Sequence, residues 1–400
     1  SRSMRAGSEA RAPRRGPRVL HVIPGFFPAV RYGGPIESVL RTCQALLRAG
    51  VELEVLTTNA DGPATLDVPT DRVVDVEGVP VRYCKRWPHA SFNPSAPLVR
   101  ELHEQVPRFE LVHVTAAFSF PSAAACIAAR SHGVPYVVSP RGSCRPFALR
   151  QKAWKKQPYW WAIERHNLRA ASALHATSDA EAEELRTLLP GQTVWTIPNG
   201  VDLPTALPEQ VTRADAQVLF LGRLHPVKAL DRLVEAMSLV ARELPEAELV
   251  LAGHDDEGEW ARLEKQLTTL RPRPRVRFLG VVRGAEKQAL IAGATLLVLP
   301  SHTENFGQVV VEALAQGTPV IASRHTPWKR LEEAGAGLWV DNDPPSLAGA
   351  LMRMLSSPSL TREMGERGRE LAREYSWSRV AEGLLEGYLS VVRPSSRRGR

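Results

Sequence analysis

Short apolar stretches of three to six residues alternate with helix-length amphipathic stretches along almost the whole chain, in two successive series. The first series opens with Val19–Ile23, followed by a helical pattern over Ile36–Ala49 that Gly50 stops. Strand patterns recur at Glu52–Thr57, Leu111–Val114, Tyr136–Ser139, Ala173–Ala176 and Val194–Ile197. Helical patterns separate the later ones: Pro121–Ser131, ended by Gly133, and Asp179–Leu189, which Ser178 and Glu181 open as a capping box. Most of the strands are near-continuous apolar runs, so both faces of their sheet must be covered, as happens in parallel βαβ sheets. Val201–Ala216 breaks the rhythm with Pro204 and Pro208 and few apolar residues, and reads as a linker. A second series follows, with strand patterns at Val218–Leu221, Glu248–Ala252, Val276–Leu279, Thr295–Leu299 and Val320–Ala322, and helical patterns at Leu230–Glu243, Glu257–Leu270, Ala285–Ala292 and Val309–Gln316. The expectation is an α/β protein of two doubly wound, parallel-sheet (Rossmann-like) domains facing across a cleft. Ligands of such sheets bind outside the carboxyl ends of the strands.

Length agrees: 400 residues suits two domains of ordinary size. The formal charge of +8 invites a nucleic-acid partner until its distribution is read. Residues 1–18 hold six Arg and one Glu, residues 393–400 hold four Arg and no acid, and the body 19–392 is left at −1. The basic excess thus belongs to two Arg-rich tails, 1–18 and 393–400, expected to be disordered, and no specific nucleic-acid partner is implied. No apolar run reaches the roughly 18 residues of a membrane span. Cys43, Cys84, Cys126 and Cys144 lie far apart without C-x-x-C spacing, so neither a zinc site nor a disulfide framework is indicated. A reducing, cytoplasmic setting is the simplest reading.

Two loops carry candidate chemistry. In Gly222-Arg223-Leu-His-Pro-Val-Lys228, a strand ends in glycine and two fixed cations follow, a set suited to a diphosphate; a solvated basic loop fits the string equally well. In the segment from Pro300 to Pro319, Glu304 precedes a helix and Glu312 lies about two turns further on, with Asn305, Phe306 and Gly307 at the helix start. Backbone N–H groups there suit anionic or hydroxyl oxygens, and a carboxylate can accept both hydrogens of a vicinal diol. On the plainer reading, Glu304 serves the helix dipole and Glu312 is a solvent-face charge.

The pair Glu304/Glu312, with Phe306-Gly307 between and Gly317-Thr318-Pro319 after it, resembles the signature of family 4 retaining glycosyltransferases of GT-B fold. The Gly222–Lys228 loop lies upstream in the expected place. Ile197–Asp202, with Asn199, matches the segment that closes the N-terminal domain of that family. Gly33-Gly34 falls where the family has a glycine pair near the donor phosphate. Ser376-Trp377 resembles its returning C-terminal segment. The resemblance spans nearly all of 19–392. It implies an acceptor-binding domain over 19–205, with 376–392 crossing back onto it, and a nucleotide-sugar domain over 213–375. It implies transfer of a sugar from a nucleoside-diphosphate donor (UDP or GDP sugar) to an acceptor hydroxyl, without metal or cofactor and with retention. Arg223 and Lys228 would stabilise the leaving diphosphate, Glu304 would hold donor-sugar hydroxyls, and Glu312 the ribose. Gly33, Gly34, Asn305, Phe306 and Gly307 would complete the donor site. Where many relatives carry a histidine, this chain has Arg141 in Ser139-Pro140-Arg141-Gly142, a contact for donor or acceptor alongside Asn199, or else a structural residue.

Arg141–Arg169 interleaves eight basic residues with Trp154, Tyr159, Trp160 and Trp161. That composition suits a lipid-linked, sugar or small-molecule acceptor and a peripheral contact with the inner face of the membrane. A helix with Trp on its buried face and Lys in water fits equally. His113, in a central strand, reads as a satisfied core histidine. Two other functions remain compatible with these residues: a GT-B-like phosphorylase or nucleotide-sugar epimerase, and a non-enzymatic binder of anionic lipid or nucleic acid through the tails.

Overall fold

The computed structural model describes residues 16–29, 34–88, 92–145, 153–204, 215–255 and 257–392. Residues 1–15 and 393–400 of the tails, Gly33, and the linker residues 205–214 lie outside the described residues.

The first series forms β1 (Arg18–Gly25), β2 (Glu52–Thr58), β3 (Ala60–Asp61), β4 (Ala64–Thr65), β5 (Val73–Val76), β6 (Val79–Cys84), β7 (Leu111–Thr115), β8 (Tyr136–Ser139), β9 (Ala173–Ala176) and β10 (Val194–Thr196). Eight of these make one sheet in the order β10-β9-β8-β7-β1-β2-β6-β5, while β3 and β4 pair separately. From β9 to β6 the strands run parallel. β5 reverses, antiparallel to β6 across a two-residue turn, Glu77-Gly78, with both φ angles positive. The sheet is therefore mixed at one edge, a feature the apolar pattern does not announce: β5 alternates between exposed and half-buried positions. Arg18, assigned above to the tail, is the first residue of β1, and its backbone N–H donates to Glu110 at 2.9 Å.

The second series forms β11 (Gln217–Leu221), β12 (Glu248–Ala252), β13 (Arg275–Phe278), β14 (Leu296–Leu299), β15 (Val320–Ser323) and β16 (Gly337–Val340), all parallel, in the order β13-β12-β11-β14-β15-β16. Its central strands are apolar throughout because each feeds two cores. Val218 and Phe220 of β11 pack with Leu233, Met237, Leu263 and Leu351 on one face. Leu219 and Leu221 pack with Ile291, Val310, Val311 and Leu314 on the other. Each fully buried side chain of this size contributes about 2 kcal/mol, and the period-two split makes β11 the strand on which both layers depend.

The chain divides into two compact units. One gathers the chain up to Ser139, Tyr159–Leu174 and the residues from Ala381 onward; the other gathers Pro140–Pro158 and His175–Val380. In the first, His113 is fully buried, with Nδ1 2.6 Å from the Tyr388 hydroxyl and Nε2 2.7 Å from Ser139 Oγ, while its ring stacks on His21 at 4.7 Å. It is the satisfied core histidine that was expected. In the second, Val201 N–H donates to Tyr375 O at 2.8 Å, and a Cβ on Gly200 would stand 2.3 Å from the Trp377 ring. Only glycine lets the Asn199–Val201 backbone lie against that indole.

Ser178 caps the helix Asp179–Leu188 by accepting from Glu181 N–H at 3.2 Å. The reciprocal half of the expected capping box is replaced. The Glu181 carboxylate is buried and accepts instead from Thr177 N–H (2.8 Å), Thr177 Oγ1 (3.1 Å) and Gly142 N–H (2.6 Å).

The first unit buries a second carboxylate with much less support. Glu164 ends the π-helical turn Trp160–Glu164 and accepts from the N–H of Phe118, a residue with positive φ in the turn after β7. Burial raises its pKa from the ordinary 4.5 to about 7, against a smaller opposing effect of that hydrogen bond. The folded form therefore keeps its proton up to about pH 7, whereas the unfolded chain loses it near 4.5. Below 4.5 both states hold the proton and the contribution to stability is complete; it is lost progressively as pH rises from 4.5 through 7. Glu164→Gln keeps an acceptor for Phe118 and removes the titration. Urea denaturation across pH 4–8 should show the variant gaining on wild type as pH rises, by about 3 kcal/mol at pH 8; a pH-independent difference would refute the assignment.

Candidate functional site

In the second sheet, β11 lies between β12 and β14, so successive crossovers leave β11 in opposite directions. This is the topological switch point, where the loops following β11 and β14 diverge and leave a crevice at the carboxyl edge. Both sequence motifs stand there. Gly222 closes β11, its N–H donating to Ala252 O at 2.9 Å. Arg223 follows, exposed and without an ion pair among the described residues. Leu224 is buried and anchors the loop through its N–H to His254 O at 2.7 Å. The turn Pro226–Lys228 is capped by His225, whose Nδ1 accepts from Val227 N–H at 3.1 Å, and Ala229 reverses the chain at φ 52°. Lys228 is thereby directed inward, and its Nζ lies 2.5 Å from Glu304 Oε2. Ser301 Oγ donates to the same oxygen at 3.3 Å, and His302 N–H donates to Val227 O at 2.8 Å, joining the two loops. Both partners of the Lys228–Glu304 pair are 17% exposed, enough desolvation to make it a charge-assisted bond stronger than a surface pair.

Glu304 owes its position to the residues after it. Gly307 is the N-cap of the helix Gln308–Ala315, with φ 81°; a Cβ there would stand 2.9 Å from Leu299 Cδ2 and 3.2 Å from Glu304 Cγ. Phe306 is buried beside Trp328 and Tyr375, and Trp328 Nε1–H donates to its carbonyl at 2.5 Å. Asn305 Nδ2–H donates to Thr177 Oγ1 at 2.9 Å, while its Oδ1 is buried without a hydrogen-bond partner among the described residues. The guanidinium of Arg145 holds Glu184 with two bonds (2.8 and 3.0 Å) and donates its third arm to the Glu304 carbonyl. Glu312, on the helix after Gly307, is 13% exposed and faces Lys287 Nζ at 2.8 Å. It is not the solvent-face charge of the plainer reading.

The structure thus brings Arg223, Lys228, Glu304, Asn305, Phe306, Gly307 and Glu312 onto the loops and helix at one sheet edge. Gly34 opens the helix Gly34–Arg48 that follows β1, in the other unit. Arg141 has φ 54° and donates through Nη1 to Asn199 Oδ1, so these two residues form a pair. Behind them His175 is buried, its Nε2–H donating to Ile197 O at 2.8 Å; burial, and secondarily Arg141, push its pKa down to about 3, so it is neutral at any physiological pH. Within Arg141–Arg169, Trp160 is buried whereas Trp154 and Trp161 are 75% and 65% exposed, with Arg165 lying 5.0 Å over the Trp161 ring. Among the described residues no helix is long and apolar enough to cross a membrane.

Sequence reasoning missed Lys287, Arg145 and Glu181. Each acts on a partner between 25 and 159 residues away, and no local spacing signals such a contact.

Comparison with known proteins identifies the family and the fold. Residues 33–200 fit the glycosyl transferase 4-like domain, and residues 208–371 fit the glycosyl transferases group 1 model. The chain is 30% identical to a D-inositol 3-phosphate glycosyltransferase of Kineococcus radiotolerans, over 90% of this chain and 91% of that one. It is 34% identical to a phosphatidyl-myo-inositol mannosyltransferase of Mycobacterium tuberculosis over 49% of this chain and 54% of the relative. Among solved structures, the Anabaena protein HepE in complex with UDP-glucose superposes with a TM-score of 0.72 at 19% identity, covering 94% of this chain and all of that one. The chain belongs to the family 4 glycosyltransferases of GT-B fold, and it is an enzyme that transfers a sugar.

Proposed function

We propose that the protein is a retaining, metal-independent glycosyltransferase that uses a nucleoside-diphosphate sugar. The observation that carries this reading is the Lys228–Glu304 pair at the switch point, with the exposed Arg223 five residues before the lysine. An ammonium held against a carboxylate at 2.5 Å brings together the two complementary charges a nucleotide sugar requires. When a donor binds, its diphosphate competes for the ammonium and its sugar hydroxyls compete for the carboxylate. Arg223, exposed at the loop tip, adds a forked contact to the phosphates. As the bond from sugar to phosphate breaks, negative charge gathers on the leaving diphosphate. Two fixed cations there act where other enzymes place a metal ion, stabilising the transition state more than the ground state. Asn305, Phe306 and Gly307 line the sugar end of this path, Glu312 takes the ribose, and the half-exposed Leu279 and Val281 after β13 offer backbone to the base.

For the acceptor we propose a hydroxyl of a polyol phosphate or of a lipid-linked sugar or inositol. The names of the two relatives support this class, as do Arg141 with Asn199 and the basic, Trp-bearing segment up to Arg169. The exposed Trp154 and Trp161 supply the aromatic surface of a peripheral contact with the inner leaflet of the membrane.

A panel of UDP and GDP sugars with inositol phosphate or phosphatidylinositol as acceptor tests the reading. The expected product keeps the donor's anomeric configuration by NMR, and excess EDTA leaves the rate unchanged; inversion, or loss of activity on chelation, would contradict it. Lys228→Ala and Glu304→Ala should each lower kcat/KM by about 100-fold or more, the scale of losing one preorganised charge contact at a reacting centre. Full activity in either variant would remove that residue from the mechanism.

A further inference from the structure

Between the end of β11 and the helix Leu230–Val240, the chain makes the single turn Pro226–Lys228, and its cap is a histidine. Pro226 has no N–H, so the first donors of that turn are those of Val227 and Lys228. Both end on His225: Val227 N–H donates to its ring Nδ1 at 3.1 Å, and Lys228 N–H donates to its carbonyl at 2.8 Å. Ala229, the next residue, sits at φ 52°, a strained left-handed conformation that its neighbours must impose. Ser, Thr, Asp and Asn are the usual caps, and all keep their acceptor oxygen near neutral pH. An imidazole nitrogen accepts only while it is unprotonated. Here Nε2 faces the Glu257 carboxylate at 3.6 Å, which assigns the proton of the neutral ring to Nε2 and leaves Nδ1 as the acceptor. The ring also borders a cavity of about 580 Å³, whose other charged or titratable lining residues are Asp231, Glu259, Arg262 and His302; Arg262 is paired with Glu259 at 2.9 Å.

We infer that His225 is a positioning residue for the donor diphosphate: its neutral ring holds the turn that aims Lys228, and protonation of that ring releases the turn. This rests on the reading of Lys228 as the diphosphate contact. Once Nδ1 takes up a proton, two N–H groups face each other. The cap becomes a repulsion, and the strained Ala229 loses the contact that offsets it. Lys228 is the residue between the two. The bond from His302 N–H to Val227 O ties the turn to the loop of Glu304, but the winding of the residues after Val227 is left to the cap. With the cap in place, the ammonium stands 2.5 Å from Glu304, where a diphosphate can take it over. Without the cap, only the molecules whose turn is wound are competent, and the apparent affinity falls by that fraction. His225 acts wholly through Lys228, so acidification weakens donor binding at this one turn.

Calorimetric titration of the intact chain with UDP and GDP tests this. At about pH 8, where an imidazole is neutral, His225→Leu should bind the tighter of the two nucleotides about fivefold more weakly than wild type, the scale of one lost cap. His225→Asn, whose side-chain oxygen accepts the same N–H without titrating, should match wild type. In a Lys228→Ala background, His225→Leu should cost nothing further, because the lysine it positions is gone. As pH falls from about 8 to 5, wild type should lose about fivefold relative to His225→Asn and come to resemble His225→Leu. Titration of the nucleotide and of the other histidines is common to all the proteins and cancels in the ratio. Thermal melts of the ligand-free variants guard against a folding defect. Where His225→Leu melts early or Lys228→Ala binds too weakly to measure, the pH comparison of wild type with His225→Asn decides alone. No loss in His225→Leu, an equal loss with and without Lys228, or parallel pH profiles of wild type and His225→Asn overturns the inference while leaving the donor site intact. Wild type binding neither nucleotide overturns the donor-site reading, and this inference with it.

Discussion

Everything at the candidate site depends on β11 and β14 lying side by side although 74 residues separate the end of one from the start of the other. Only that strand order brings the loop carrying Lys228 beside the loop carrying Glu304, and the 2.5 Å contact between them is its chemical product. The backbone bond from His302 to Val227 shows that the loops are joined independently of the charges, so the pair is held in place rather than assembled by attraction alone. Behind it, β11 divides its side chains between two cores. A change at Phe220 or Leu219 would therefore move the site by moving the strand that carries it.

The site keeps its charges in pairs: Lys228 with Glu304, Lys287 with Glu312. Each carboxylate is a potential acceptor for hydroxyls, and each would incur a large desolvation cost if it faced the partly buried crevice unaccompanied. Arg223 differs from both, exposed at the loop tip. An arrangement of two neutral pairs and one open cation favours an anionic ligand without presenting a strongly charged surface. It agrees with a body that is nearly neutral once the two Arg-rich tails are set aside.

Much of this was legible in the sequence, for identifiable reasons. Strands such as Leu296–Leu299 are apolar at every position because both faces are buried, and that signal is local. The order of the motifs along the chain, from Gly222 to Glu312, survives because a doubly wound sheet fixes which loops meet. What escaped was either weakly patterned or non-local. β5 alternates without a strong apolar face, and β16 is four residues with Trp339 and Val340 only partly buried. Glu181 sits at a capping-box spacing, yet its carboxylate turns to Gly142 and Thr177, a choice set by the tertiary contact and invisible to the spacing. Arg145 and Lys287 look like ordinary basic residues until the fold supplies Glu304 and Glu312 as neighbours.

Arg141 shows how far residue chemistry constrains a mechanism before any ligand is seen. It replaces the histidine expected from the resemblance, in a left-handed backbone conformation that a bulky residue adopts only when its surroundings impose it. The neighbouring imidazole, His175, is buried and held neutral by burial and by Arg141 itself, and its Nε2–H is committed to the Ile197 carbonyl. A guanidinium does not surrender its proton at any ordinary pH. Neither residue can act as a general base, so this part of the protein contributes positive charge and position. That fits an anionic group on the substrate better than a hydroxyl awaiting deprotonation. On the function proposed above, the Arg141–Asn199 pair serves recognition, and a proton released by an attacking hydroxyl goes to another acceptor.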